Sequence, residues 1–272
     1  MKWASAISTS ASLEIAIQEV TRQAVAQLGS DEPHLALVFV SVAFASEYAR
    51  LLPILHANLT VDHIVGCSGS GVIGMASDGH PEEIEEAPAV SLTLAHLPNV
   101  ELKTFHLRAQ DLPDLDSPPE RWSELIGVAP SAAPSFVLMA DPFSSGTSEL
   151  IQGLDFAYPG AVKVGGLAGI ESFNRSSGLF CDRQLKREGI VGVALSGEIV
   201  MEAIVAQGCR PIGDLYRVSE GSSNVMLKLE QAETTASSSA QTPLDVLQNI
   251  FQSLSPEDRE LAQSALFIGV AQ

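Results

Sequence analysis

The amino-acid sequence predicts an α/β, or α+β, fold: a layered sandwich of mixed or antiparallel sheet with flanking helices. Three observations lead to this prediction. Some segments repeat apolar residues with helical spacing, others are continuous apolar runs typical of buried strands, and others are apolar runs paired around short turns. Because helices and strands do not alternate strictly along the chain, a layered sandwich is favoured over a doubly wound fold.

The N-terminal part of the chain contains the clearest helix and the clearest buried strand. Apolar residues recur with helical spacing from Leu13 to Leu28, Ser12 stands at the N-cap position, and Gly29 ends the run. Residues 34–41, HLALVFVS, form a continuous apolar run rich in β-branched side chains. Such a run is typical of a strand buried on both faces, so we expect the helix to pack on a sheet that contains it.

Two pairs of apolar runs predict β-hairpins. The first pair comprises residues 89–97 and 100–107, and the second comprises residues 189–195 and 199–205, with Gly197 at the turn. These two pairs are the reason for expecting antiparallel as well as parallel strands.

The C-terminal part of the chain predicts a domain boundary. We expect a first domain over residues 1–230, a flexible connector over residues 231–241 (QAETTASSSAQ), and the start of a second domain over residues 242–272. The last part predicts two short helices and a strand at residues 266–270 (LFIGV). A strand at this point, with no later helix to cover it, suggests a second domain that has been cut short.

Composition and charge exclude several functional classes. The net charge of −18 would repel a phosphate backbone, so nucleic acid is not an expected partner. No apolar run approaches the roughly 20 residues that a membrane-spanning helix needs, and residues 1–20 lack the apolar block of a signal peptide. The 3 cysteines show no C-x-x-C pair, which favours a reducing compartment. We therefore expect an acidic cytoplasmic protein without membrane insertion.

Two glycine-rich stretches at predicted strand ends indicate a ligand pocket. They are residues 61–74, VDHIVGCSGSGVIG, and residues 162–169, VKVGGLAG. Glycine lets the backbone approach another group closely, and successive N–H groups in such turns can bind an anion or a carbonyl oxygen. The candidate ligand-binding residues in these stretches are Gly66, Cys67, Ser68, Gly69, Ser70, Gly71, Gly165 and Gly166.

Three polar residues near these stretches are further candidates for ligand binding. Asp141 ends the predicted strand SFVLMAD, where it can bind an amine or cap the following helix. Asn174 and Arg175 follow the second glycine stretch. They offer an amide and a guanidinium able to pair with a carboxylate, or they form a simple turn with an exposed arginine.

The sequence contains no complete catalytic set, so we predict a non-enzymatic protein and assign no catalytic residue. Cys67 is the sharpest nucleophile candidate, but His63 lies roughly 13 Å away along a straight strand, too far for proton transfer. A structural cysteine is therefore the favoured interpretation. Residues 69–74 match G-x-G-x-x-G, yet the glycine and proline that follow make the required helix improbable.

Metal and cofactor sites are not predicted. The 6 histidines lack paired zinc spacing, and the acidic segment 78–86 (DGHPEEIEE), which we interpret as a solvated loop, lacks a metal-loop spacing. A single axial histidine for haem leaves no spacing signal, so haem stays an open alternative.

Several motifs together resemble the FIST domain, N-terminal part. In chain order they are LALVFVS, GCSGSGVIG, AVSLTL, VLMADPFS, KVGGLAG, GIVGVALSG and GCRPIGDLYRV. The segment PLDVLQNIFQSL…LFIGVA resembles the beginning of the C-terminal part of that family. The resemblance covers nearly the whole chain.

This resemblance implies a sensory module of signal transduction that binds a small molecule such as an amino acid or a related metabolite. The alternatives it implies are a haem-based nitric oxide sensor and a protein-interaction scaffold, as in F-box proteins of this family. A downstream signalling protein is an implied partner. The family has no agreed catalytic residues, and most of its C-terminal part is absent from this chain.

Overall fold

The computed structural model of the chain describes residues 1–170, 177–204, 210–222, 225–232, 240–264 and 266–269. The chain divides into two compact units, Met1–Ile204 and Val205–Gln272. The domain boundaries drawn from the sequence stay a prediction, because residues 233–239 of the expected connector lie outside the described residues.

The described residues of the first unit form short strands and four α-helices. Its described strands are β1 Lys2–Ser8, β2 Leu35–Ser41, β3 His63–Gly69, β4 Gly71–Met75, β5 Pro81–Glu85, β6 Val90–His96, β7 Val100–Leu107, β8 Ser135–Ala140, β9 Lys163–Leu167, β10 Leu179–Cys181, β11 Gln184–Lys186 and β12 Ile190–Gly197. Its described α-helices are α1 Leu13–Leu28, α2 Tyr48–Asn58, α3 Pro119–Ile126 and α4 Thr147–Ala157.

These strands form two mixed sheets and one separate hairpin. The larger sheet has the order β1-β6-β2-β3-β10-β11 and the smaller has the order β7-β12-β8-β9, while β4 pairs only with β5. The pairs β2–β3 and β8–β9 are parallel, and the other pairs are antiparallel. The predicted mixed α/β sandwich with flanking helices is therefore confirmed.

Alternating side chains on the strands create a four-layer arrangement. On β12, Val191 and Val193 face a core that both sheets share, whereas Ile190 and Ala194 pack against a core that includes residues of α3 and α4. The outer face of the larger sheet packs in the same way against α1 and α2. The layers thus follow the order helices, sheet, sheet, helices.

The first unit contains one topology twice. The order β1-α1-β2-α2-β3, a hairpin, and β6 is repeated as β7-α3-β8-α4-β9, a hairpin, and β12. In the sheets, β1-β6-β2-β3 corresponds to β7-β12-β8-β9, with the same parallel and antiparallel pairs. No sequence pattern had predicted this repeat.

Individual backbone contacts repeat as well. The N–H of Ser41 donates to the carbonyl oxygen of Ala89 (2.8 Å). In the second half, the N–H of Asp141 donates to the carbonyl oxygen of Gly189 (2.9 Å). Each half also places a glycine in its second parallel strand, Gly66 and Gly165. A Cβ at either glycine would overlap the carbonyl oxygen of its neighbour on the adjacent strand. The two halves are therefore equivalent at the level of single residues.

Both predicted hairpins are wrong, because their strands belong elsewhere. Strands β6 and β7 follow one another in the chain but lie in different sheets. Strand β12 is paired with β7 on one edge and β8 on the other, so no edge is free for residues 199–204. Instead, Ile199 and Met201 pack against the core between the sheets.

The predictions for shorter segments have mixed outcomes. Helix α1 begins as expected: the Ser12 hydroxyl accepts a hydrogen bond from the N–H of Ile15, and Gly29 follows the helix with a φ of 74°. The acidic segment 78–86, expected as a loop, contains strand β5. Strand β1 was not predicted, because its alanine and serine residues have low strand propensity.

The described residues of the second unit form a hairpin and two helices. Strands β13 Tyr216–Ser222 and β14 Val225–Gln231 pair antiparallel and are followed by α5 Pro243–Ser253 and α6 Pro256–Ser264. Both short helices expected in residues 242–272 are thus confirmed, whereas residues 266–269 form no strand. Among the described residues of this unit, the buried hydrophobic side chains are Val246 and Ala262.

Candidate functional site

The two glycine-rich stretches meet in the structure. The N–H of Gly169, just beyond β9, donates to the carbonyl oxygen of Ser68 in β3 (2.7 Å). A Cβ at Gly169 would lie 2.6 Å from the carbonyl carbon of Gly69, so only glycine fits there without a shift of the backbone. The carboxyl ends of β3 and β9 are therefore in direct contact.

Ser68 forms hydrogen bonds with the backbone on both sides of residues 170–177. Its hydroxyl donates to the carbonyl oxygen of Gly169 (2.7 Å) and accepts from the N–H of Gly178 (3.0 Å). Its own N–H donates to the carbonyl oxygen of Gly178 (2.8 Å). The predicted ligand residues Asn174 and Arg175 lie outside the described residues, but this anchoring places both ends of their segment beside Ser68.

Asp141 is a buried carboxylate directly after β8. It is 5% exposed, and its two oxygens accept hydrogen bonds from the hydroxyls of Ser144 (2.7 Å) and Ser177 (2.9 Å). The Ser144 hydroxyl in turn accepts from the N–H of Gly189 (2.6 Å). Asp141 does not cap the next helix, because α4 has Gly146 at its N-cap and no side-chain cap.

The surroundings of Asp141 leave its charge without a described counter-ion. Its partners are neutral serine hydroxyls, and no lysine, arginine or histidine among the described residues forms an ion pair with it. A carboxylate has about four acceptor positions, and two are used here. Since a buried charge is costly unless it is paired, this carboxylate is suited to bind a cation such as an ammonium group.

The internal repeat provides a comparison for Asp141. The equivalent residue of the first half is Ser41, whose hydroxyl donates to the carbonyl oxygen of Ala87 (2.7 Å). In the first half, this position is therefore occupied by a neutral side chain that bonds to the backbone. A charged side chain at the second position is therefore not required by the strand topology itself.

The structure brings some of the predicted residues together and separates others. Ser68 and Asp141 are linked through the neighbouring residues Ser177 and Gly178, each of which bonds to one of them. Gly69 and Ser70 contact Gly169 at the same place. Gly165 and Gly166 lie farther back on the edge strand β9, where a Cβ at Gly166 would meet no atom within 4 Å.

The remaining predicted residues occupy three different environments. Gly66 lies within the larger sheet, Cys67 contributes to the core between the sheets, and Gly71 begins strand β4. Two cavities among the described residues, of about 200 Å³ and about 580 Å³, are lined by other parts of the chain. The pocket between the glycine stretches therefore stays a prediction.

Sequence reasoning missed Ser144 and Ser177. Ser144 stands three residues after Asp141 and also donates its N–H to the Asp141 carbonyl oxygen (3.1 Å), a turn pattern that the sequence DPFS contains. Ser177 is separated from Asp141 by 36 residues, so no local pattern indicates their contact.

Cys67 is a buried thiol with little tendency to ionise. It is 7% exposed, and burial raises the pKa of its thiol to about 12. Burial also raises the pKa of the Cys181 thiol, to about 11. Since the thiolate is the nucleophile, this environment supports the interpretation of Cys67 as a structural cysteine.

We expect Cys67 to resist alkylation in the folded chain. Because a shift of the pKa from 9.0 to about 12 lowers the thiolate fraction near neutral pH by about a thousandfold, iodoacetamide should label Cys67 far more slowly than a free thiol. The rate is measured by peptide-resolved mass spectrometry, with the urea-unfolded chain as the control. Labelling of Cys67 at the same rate in both samples would contradict the burial argument.

The cavity lined by His106 is poorly suited to haem. His106 lines the larger cavity, but its Nε2 lies 2.9 Å from the carbonyl oxygen of Glu188, and the other lining side chains are mostly charged. A porphyrin needs an apolar pocket and a free histidine nitrogen. Among the described residues, no three histidine, cysteine, aspartate or glutamate side chains form a group able to hold a metal ion.

Within the described part of the chain, no helix combines the length and apolar character that crossing a bilayer requires.

Relatives of the chain occur in mycobacteria. The chain is 29% identical over 266 residues to an uncharacterized protein of Mycobacterium tuberculosis, covering 97% of this chain and 63% of the relative. It is 28% identical over 254 residues to an uncharacterized protein of Mycobacterium bovis, covering 93% and 60%. The chain thus spans about three fifths of the length of these curated relatives, whose names state no function.

The family assignment rests on a match to a family model. The model of the FIST N domain matches residues 34–232, which is well over half of the chain. This match agrees with the motifs found in the sequence, and the chain belongs to the FIST N domain family.

Proposed function

We propose that this chain is a sensory module that binds a small molecule with an ammonium group, such as an amino acid or a related metabolite. FIST domains are sensory domains of signal transduction. The observation on which the proposal rests is the buried carboxylate of Asp141, whose described partners are two neutral hydroxyls. The ligand's ammonium group would occupy the unused acceptor positions of this carboxylate.

The position of Asp141 in the fold supports the proposal. Ligands of open α/β sheets commonly bind outside the carboxyl ends of parallel strands, and Asp141 follows the parallel strand β8. The adjacent carboxyl ends of β3 and β9 contact each other there. A ligand at this place would touch both sheets, because β3 and β9 belong to different ones.

The anchoring of residues 170–177 supports a sensory role. Ser68 bonds to the backbone before and after this segment, and Ser177 bonds to Asp141. A ligand that bonds to Asp141 would therefore act on the end of the segment that contains Asn174 and Arg175. A downstream signalling protein would then respond to the change at Ser177.

A thermal-shift series tests the proposal. We expect amino acids or their amides to raise the melting temperature, whereas the matching keto acids, which lack the ammonium group, should not. At a ligand concentration of 100 times Kd, the stabilisation is about 2.7 kcal/mol. For a chain of this size, that corresponds to roughly 5–10 °C.

Variants separate binding at Asp141 from general effects. Asp141→Asn should weaken binding by about tenfold or more, because it removes a charge-assisted hydrogen bond. Asp62→Asn, a change at an exposed aspartate, is the matched control and should bind as the unmodified chain does. If no amine stabilises a well-folded sample, or if Asp141→Asn binds equally well, the proposal is wrong.

A further inference from the structure

Strand β9, with the sequence KVGGL, forms one edge of the smaller sheet and pairs among the described strands with β8 alone. The carbonyl oxygen of Val162 and the N–H of Ala168 bond to β8, so the even-numbered residues between them face that strand. Successive residues of a strand direct their backbone groups to opposite edges. The N–H and carbonyl groups of Lys163, Gly165 and Leu167 therefore point away from β8, along what we call the outer edge of β9.

The internal repeat shows what the equivalent edge of the first half binds. Strand β3 corresponds to β9, and Gly66 corresponds to Gly165. The outer edge of β3 is paired with the antiparallel strand β10, which places Phe180 opposite Gly66. The same edge is thus occupied by a strand in one half, whereas no described strand occupies it in the other.

The other edges of the two sheets each have a feature that hinders pairing with a further strand. On β1, the side-chain amide of Gln27 accepts from the N–H of Ser5 (3.1 Å) and donates to its carbonyl oxygen (2.8 Å). Strand β7 exposes the charged side chains of Glu101 and Lys103, and β11 is only 3 residues long. Side-chain cover, charge and shortness are common means of protecting sheet edges.

The outer edge of β9 has none of these three features. Its last three residues, Gly165, Gly166 and Leu167, are all exposed, and the Leu167 side chain is 63% exposed. Its charged residue, Lys163, has a side chain that is only 12% exposed, and Nζ lies 2.7 Å from a carboxylate oxygen of Asp155 in α4. This charge is therefore balanced within the chain, and the edge is open to another strand.

We infer that the outer edge of β9 binds β9 of a second copy of this chain, as an antiparallel pair centred on Gly165. The three outward-pointing residues are arranged symmetrically about Gly165. A two-fold axis through that residue therefore places Lys163 of each copy opposite Leu167 of the other. Each of the three opposed residue pairs would exchange two hydrogen bonds, which joins the two smaller sheets into one.

The charges and side chains at this edge suit a second copy. Glycine at the centre of the pair brings no side chain into the contact, and each lysine faces an apolar residue instead of another lysine. The two Lys163 residues would lie roughly 13 Å apart along the strands, beyond the screening length at physiological salt. Ile151, which is 41% exposed and stands one helical turn before Asp155, adds apolar surface on the same side of α4.

Sedimentation equilibrium of the full chain tests the inference. We expect a monomer–dimer equilibrium between about 1 µM and about 500 µM, because a contact of this size gives a weak dimer. Leu167→Lys places like charges opposite each other twice in the dimer and should lower the association constant by about tenfold. Leu167→Glu places opposite charges there and should associate more tightly than Leu167→Lys.

Net charge predicts the reverse order, so the two variants separate pairing at β9 from general repulsion. Each chain has a net charge of −18, which Leu167→Lys makes less negative and Leu167→Glu makes more negative. Ile73→Lys is the matched control, because Ile73 is also 63% exposed but lies on β4. This variant should dimerise at least as well as the unmodified chain.

Amide hydrogen exchange locates the contact. Exchange at Gly165 and Leu167 should slow as the protein concentration rises, whereas exchange at Val164 and Gly166, which face β8, should not change. A chain that stays monomeric over the whole range overturns the inference and leaves the edge to a strand of a different protein. Equal association of Leu167→Lys and Leu167→Glu, or unchanged exchange at Gly165 and Leu167, would also overturn it.

Discussion

Replacing Gly66 with alanine is expected to lower the free energy of unfolding by about 3 kcal/mol or more. The added Cβ would overlap the carbonyl oxygen of Val38 and would lie 2.7 Å from Cγ1 of the same residue. Relief requires a shift of the backbone between two strands inside the larger sheet. Urea unfolding followed by circular dichroism measures the loss.

The second glycine stretch contains the matched control for this substitution. A Cβ at Gly166 would meet no atom within 4 Å, so Gly166→Ala should change the unfolding free energy by less than about 0.5 kcal/mol. Equal stability of the Gly66→Ala and Gly166→Ala variants would contradict the close contact between Gly66 and strand β2.

Replacing Ser68 with alanine is the second substitution with a large expected effect, about 2–4 kcal/mol. Ser68 is 1% exposed, and its hydroxyl bonds to the carbonyl oxygen of Gly169 and the N–H of Gly178. Alanine would leave both backbone groups without this partner. The loss is measured by thermal and urea unfolding, with the exposed Ser70→Ala as the control.

Hydrogen exchange gives a local test of the same substitution. The N–H of Gly178 bonds to the Ser68 hydroxyl, whereas the N–H of Gly169 bonds to the Ser68 backbone oxygen, which alanine retains. In Ser68→Ala, exchange should therefore accelerate more at Gly178 than at Gly169. The opposite order would contradict the assignment of the hydroxyl as the anchor of residues 170–177.

The elements that the sequence predicted correctly are those whose signals are local. Helix α1 was bounded by its N-cap serine and its terminal glycine, and the two short helices in residues 242–272 were also predicted. Capping residues, prolines and helical spacing act within one or two turns of chain. Such signals are present in the sequence regardless of what the element packs against.

The two hairpins were predicted incorrectly because adjacency in the chain does not determine strand pairing. Residues on both sides of Asn99 have the pattern of a hairpin, but β6 pairs with β1 and β2, and β7 pairs with β12. The turn at Asn99, with a φ of 62°, passes from one sheet to the other. The choice between these pairings depends on partners that are distant in sequence.

The candidate site likewise has residues that the sequence identified and contacts that it could not indicate. The sequence identified Asp141 at a strand end and the two glycine stretches, because small residues after an apolar run are a local signal. It could not identify Ser177, because that contact with Asp141 forms only when β10 joins the larger sheet beside β3. The repeat was also missed, because its halves share strand order and contacts rather than extended sequence identity.

By itself, the sequence determined the class of fold, the bounds of helix α1, the positions of the glycine-rich stretches and the family to which the chain is similar. Tertiary structure alone decided which strands share a sheet, where the two halves repeat each other, and which side chains surround Asp141. The physical reason is the distance along the chain over which each feature is determined. Caps, turns and periodicity are set by neighbouring residues. Sheet order and buried polar contacts depend on the simultaneous packing of segments roughly 30 to 100 residues apart in the chain.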